Sequence, residues 1–183
     1  MKKYSVLLVL LAALFSACGQ GQKGTQEAGE SRPQVEEENI LHRQPRLNAV
    51  DTVRSGSNVY VLKVNREACD SLPIVTDEMG FRFADNLLDI VVYKNGSILF
   101  SRTFRKTDFR HMLDEDFLSQ SILDGCRFLQ IHEGMVTFSL AVSYPESDMS
   151  RPFKLNIGPD GSHMIVKDDD LDDEYDTEDL EGV

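Results

Sequence analysis

The sequence predicts a mainly β domain, either an antiparallel β-sandwich or a strongly curled sheet, of about seven strands with a short helical insertion. Three observations predict it. Apolar and polar residues alternate in several short runs, turn-forming dipeptides separate those runs, and only one stretch changes its apolar spacing from two residues to four.

The first strand is "VYVLKV", in which Tyr60, Leu62 and Val64 point to one face and Val59, Val61 and Lys63 to the other. In "LLDIVVYKNGSILFSRTF" two β-rich runs flank Asn95-Gly96, a dipeptide that accepts positive φ at both centres of a type I′ turn. This predicts a hairpin from Leu87 to Lys94 and from Ser97 to Phe104. Next, Thr107-Asp108 offers a helix cap, and Phe109, Leu113 and Phe117, then Leu118 and Ile122, follow at a spacing of four. One helix or two short ones are expected over Phe109 to Leu123, closed by Gly125. A second hairpin, Arg127 to His132 and Met135 to Tyr144, turns at Glu133-Gly134. Its second strand sets Val136, Phe138, Leu140, Val142 and Tyr144 against Thr137, Ser139, Ala141 and Ser143. Beyond Pro145, Phe153-Leu155-Ile157 and Met164-Val166 flank "GPDG" as a third hairpin.

The ends read differently. "MKKYSVLLVLLAALFSAC" has two lysines, an apolar run from Val6 to Phe15 and the small pair Ser16-Ala17 before Cys18. The run is too short for a membrane span, which needs ~20 residues, and suits a cleaved export signal over residues 1–17. Phe15-Ser16-Ala17-Cys18 resembles the bacterial lipobox, in which cleavage precedes a lipid-modified cysteine. Cys18 is therefore expected to be the membrane anchor. Residues 18–39, rich in Gly, Gln and Glu, bury too little apolar area to offset ordering and are expected to be a tether. Residues 40–167 form the single domain, and 168–183 an acidic, disordered tail.

That tail accounts for most of the formal charge of −12: Asp168 to Glu181 holds ten acids and no base. Between Cys18 and Lys167 there remain 21 acids and 17 bases. Nothing there concentrates enough positive charge to neutralise a run of phosphates, which argues against nucleic acid as a partner. The tail does not fit a calcium loop either. With Asp168 at the first position, Asp173 falls where glycine is required and Asp179 where a bidentate Glu is expected.

With Cys18 assigned to lipid, Cys69 and Cys126 remain as an even pair, candidates for a disulfide. Closing that loop of about 57 residues is worth roughly 4 kcal/mol in the chain-entropy model, against the alternative of two unlinked core residues. His42, His111, His132 and His163 lack metal-ligand spacing, and no nucleophile elbow or phosphate loop appears, so no metal or cofactor is expected. Arg102, Arg105, Lys106 and Arg110 crowd around one acid, Asp108. They form either a cationic patch for an anionic partner or a solvated strand end.

The order of parts resembles a family of small lipoproteins of Bacteroides-type bacteria that carries a domain of unknown function. The resemblance rests on the lipobox, the polar tether, "KNGSILFSRTFRKTDF", "LDEDFLSQSILDG", "VSYPESD" and "IGPDG", and covers most of Asp51 to Lys167. It implies a cell-envelope lipoprotein and assigns no catalytic residue. In such bacteria an acidic cluster just after the cysteine commonly accompanies surface export; "GQGQKG" lacks it, which points to the periplasmic side of the outer membrane. Two function classes follow. One is a lipid-anchored, non-catalytic module that binds an envelope protein or small ligand through a sheet face or the Arg102–Arg110 region. The other is a periplasmic hydrolase built from Asp85, Asp89 and Asp114 with His111.

Overall fold

The computed structural model describes residues 40–168. The expected signal over 1–17, Cys18, the expected tether over 18–39 and the acidic residues beyond Asp168 lie outside the described residues.

Eleven strands are present among them: β1 (Leu41–His42), β2 (Leu47–Ser55), β3 (Asn58–Ala68), β4 (Val75–Thr76), β5 (Arg82–Phe83), β6 (Asn86–Lys94), β7 (Ser97–Phe104), β8 (Ile122–His132), β9 (Met135–Ser143), β10 (Ser150–Ile157) and β11 (His163–Lys167). Two four-stranded antiparallel sheets carry the domain, ordered β2-β3-β6-β7 and β11-β10-β9-β8, and a small sheet β1-β5-β4 sits beside them. The larger sheets share one core. Tyr60, Leu62 and Val64 from β3 and Leu88, Ile90 and Val92 from β6 belong to the same buried cluster as Phe138, Leu140 and Val142 from β9 and Phe153 and Leu155 from β10. The architecture is a β-sandwich, and the alternation in β3 and β9 is the cause: every second side chain is withdrawn from water, at ~1.5–3 kcal/mol for each large apolar one.

The turns follow their residues. Asn95 (φ 51°) and Gly96 (φ 85°) both lie at positive φ, and so do Glu133 (φ 51°) and Gly134 (φ 81°). In the third hairpin Gly161 (φ 82°) comes so near the other sheet that a β-carbon there would lie 2.4 Å from the Leu99 carbonyl oxygen. That turn therefore docks the edge of one sheet against the edge of the other.

The helical insertion is shorter than its spacing predicts. A 3-10 turn (Lys106–Met112) and one short helix, α1 (Glu115–Gln120), replace the run to Leu123. Asp108 accepts a bond from the Arg105 amide (2.9 Å), and Asp114 caps α1 by accepting from the Phe117 amide (2.7 Å). The four-residue step from Leu118 to Ile122 misleads, because Ile122 already begins β8. Ile122 and Leu123 enter different clusters, one with Val75 and Phe83 and the other in the main core, as consecutive residues of a strand must. Gly125, expected to end a helix, lies inside β8, where an added β-carbon would press on Ala141 at 3.3 Å.

Candidate functional site

Two loops build a cleft at one end of the sandwich strands β9 and β10. One connects β4 to β5 (residues 77–81) and the other connects β9 to β10 (residues 144–149). They enclose about 530 Å³, within the size range of small-ligand pockets. Its lining includes the aromatic rings of Phe81 and Tyr144, the side chains of Met79 and Met149, and the carboxylates of the exposed Glu78 and Glu146. Met79 is 75% exposed and Met149 51% exposed. Two exposed thioethers in one cleft offer flexible, polarisable side chains that adapt to irregular partners.

Each loop is held by its own hydrogen bonds. The Asp77 carboxylate accepts from the amides of Met79 (2.9 Å) and Phe81 (2.8 Å), and Gly80 turns the chain at φ 89°. Opposite, the Tyr144 amide donates to the Met149 carbonyl (2.9 Å), and Ser147 Oγ accepts from the Met149 amide (3.0 Å). Glu146 occupies positive φ (55°), a conformation that costs a residue other than glycine of order 1 kcal/mol. The Tyr144 ring stacks on Phe117 of α1 at 4.7 Å between centroids, and the Arg151 guanidinium lies over Phe117 at 5.2 Å. A second hollow of about 220 Å³ shares Pro145 and Glu146 with the cleft and reaches His42, Gln44 and Ile122. His42 Nδ1 stands 3.8 Å from a Glu146 carboxylate oxygen.

Behind this second hollow lies a polar knot. Gln44 accepts from the Asn86 amide group (2.7 Å), which also donates to the Leu123 carbonyl (2.9 Å). Arg66 reaches both the carbonyl and the carboxylate of Asp124 and donates to the Pro45 carbonyl. Asp85 is buried and its Oδ1 accepts from the amides of Asn86 (2.8 Å) and Leu123 (2.9 Å). Lys106 Nζ stands 3.8 Å from Asp85 Oδ2 and donates to the Ser121 carbonyl at 2.6 Å. Burial pushes the Asp85 carboxyl above its ordinary range and the Lys106 amine below its own, since desolvation penalises both charges. These groups join β6, β8 and the 3-10 turn, and their work is structural.

The residues singled out from sequence are dispersed. Lys106 leaves the supposed cationic patch altogether, because its amine is spent on Asp85 and Ser121. Arg102 bonds to Asp108 (3.1 Å) and His163 (2.5 Å) and covers the Phe104 ring, so of the four bases Arg105 and Arg110 stay exposed. Asp85, Asp89 and Asp114 are each engaged elsewhere: Asp89 accepts from Thr103 (2.5 Å) and Asn65 (3.4 Å), and Asp114 caps α1. Among the described residues no hydrogen bond or ion pair links any of the three to His111. Cys69 and Cys126 are free thiols instead of a bridge. Cys69 follows β3 directly with its sulfur 3.1 Å from Ser71 Oγ, a contact that lowers its pKa, whereas Cys126 packs on the core from β8, where burial raises its pKa to about 12. Among the described residues no cluster of His, Cys, Asp or Glu could hold a metal ion.

Sequence reasoning passed over Met79, Phe81, Tyr144 and Met149. The available signal was compositional: "TDEMGF" and "YPESDM" each place a methionine beside acids in a turn.

A family model described as a domain of unknown function, DUF4738, matches residues 28–165. No curated protein matches the chain.

Proposed function

The chain belongs to the DUF4738 family, and from that premise we propose that it is a cell-envelope lipoprotein, anchored through Cys18, whose β-sandwich is a non-catalytic binding module facing the periplasm. The observation that carries the binding role is the cleft between residues 77–81 and 144–149, where Met79 and Met149 stay in water and the rings of Phe81 and Tyr144 join the lining. An apolar group entering it gains the burial that these side chains lack on their own. The carboxylates weighed for hydrolysis are committed to capping, sheet bonding and one buried ion pair, so a binding role needs no further rearrangement of them. The anchor and compartment rest on the lysines, the apolar run and the Phe15–Cys18 motif. Two or more acyl chains on Cys18 would hold the protein at a membrane stably, which a single chain does not achieve.

Mass spectrometry of the N-terminal peptide, taken from native membranes, tests the anchor. The expected peptide begins at Cys18 and carries diacylglycerol on sulfur; cleavage elsewhere, or an unmodified thiol, removes the anchor from the proposal.

A further inference from the structure

We propose that the cleft takes a basic, apolar peptide segment of a partner protein, with one aliphatic or aromatic side chain seated between Met79 and Met149 and flanking Lys or Arg residues facing Glu78 and Glu146. This rests on the binding role argued above and adds the chemistry of the occupant. Charge complementarity carries it. Both carboxylates are on exposed residues; the Glu146 side chain keeps 73% of its surface in water and has the His42 ring 3.8 Å away, a contact that a Lys or Arg of the occupant would replace. The third acid that lines the cleft, Asp77, turns Oδ1 to its own backbone, which holds the Glu78–Met79 corner in place. The cation of the occupant has a counterpart in each loop, since Glu78 of one and Glu146 of the other both line the cleft. An acidic segment would meet two like charges there, and repulsion of that kind selects against wrong partners more strongly than attraction rewards the right one. The two methionines accept leucine, phenylalanine or isoleucine with little distinction, because the thioether chain repacks. The site should therefore read charge pattern before side-chain shape.

Fluorescence anisotropy with three labelled heptapeptides tests this on the full chain held in phosphatidylcholine nanodiscs, with empty nanodiscs as the blank. The probes are Lys-Lys-Phe-Leu-Phe-Lys-Lys, the same peptide with Glu for every Lys, and the basic peptide with Ser for its three apolar residues. The first is expected to bind best. Its affinity should fall about five- to tenfold in the Glu78→Gln/Glu146→Gln double variant, and by a similar factor when salt rises from ~0.05 to ~0.5 M. Met79→Ser/Met149→Ser should weaken it about tenfold with an unchanged circular dichroism spectrum, since both side chains are already exposed. Equal binding of the acidic peptide, indifference to the glutamate changes, or no binding of any probe overturns the inference. None of those results touches the anchored binding module, which would fail on an unmodified Cys18 or on a cleft that contacts nothing in the envelope.

Discussion

Replacing Asp85 with Ala should destabilise the domain far more than replacing Lys106 with Met, although the two residues form one ion pair. The asymmetry follows from what each leaves behind. Asp85 Oδ1 is the acceptor for two buried amides, those of Asn86 and Leu123. Alanine strands both, at about 1–3 kcal/mol each, and leaves Lys106 without its counter-ion, for a total of about 3–5 kcal/mol. Methionine at position 106 keeps the buried hydrocarbon stem, loses one bond to the Ser121 carbonyl and leaves Asp85 with both amides. Burial already raises the pKa of that carboxyl and the loss of Lys106 raises it further, which lessens the cost of the missing counter-ion, so the total should be about 1–2 kcal/mol. The gap of ~2 kcal/mol corresponds to about 6–10 °C in Tm for a domain of this size. Urea unfolding followed by far-ultraviolet circular dichroism measures it, since the chain has no tryptophan. A Lys106→Met cost equal to or above that of Asp85→Ala would refute the reasoning, because the pair itself would then outweigh the amide anchors. The pH dependence has a definite sign. Folded Asp85 holds its proton above the ordinary 3.8 at which the unfolded chain releases it, so its contribution to stability falls as pH rises out of that range. The advantage of the parent over Asp85→Asn should accordingly narrow between about pH 4 and neutrality.

With Cys18 blocked, a thiol-directed maleimide should label Cys69 in the folded protein within minutes and Cys126 only after denaturation. Burial holds the Cys126 pKa near 12, while the Ser71 hydroxyl lowers that of Cys69; equal labelling rates, or no free thiol at all, would contradict the arrangement. Gly161→Ala should cost about 2–4 kcal/mol by thermal unfolding, because positive φ and a 2.4 Å approach to the Leu99 carbonyl leave no room for a methyl group. A change below about 0.5 kcal/mol would mean that the turn does not dock against β7.

Much of the sandwich was legible because its strands are buried on one face. β3, β6 and β10 alternate buried and less buried residues, β9 sets its apolar residues on one face, and Asn95 and Gly96 both take the positive φ that the hairpin turn between β6 and β7 needs. Strand β2 was missed for the opposite reason. As an edge strand it buries little, with Val50 60% exposed and Asp51 among the residues that would otherwise keep the period. The two-residue strands β1, β4 and β5 are too short to show any period. Leu118 to Ile122 imitated a helix because a helix end and a strand start both placed an apolar residue at the fourth position. The cleft was the least legible part. Its two loops lie more than sixty residues apart in sequence and meet because β4, β5, α1 and the end of β9 bring them together. In the cationic stretch one residue was illegible: Lys106, a charge in the sequence, becomes a buried structural group in the fold.

The central claim is that this domain works through the cleft between residues 77–81 and 144–149. Site-specific photo-crosslinking in intact cells, with benzoylphenylalanine replacing Met79 or Met149 in turn and Val50 on the far edge strand as control, tests it most directly. The account predicts one common adduct from positions 79 and 149, lost in the Glu78→Gln/Glu146→Gln background, and none from position 50. Adducts of equal yield from position 50, or none from the cleft, would contradict it.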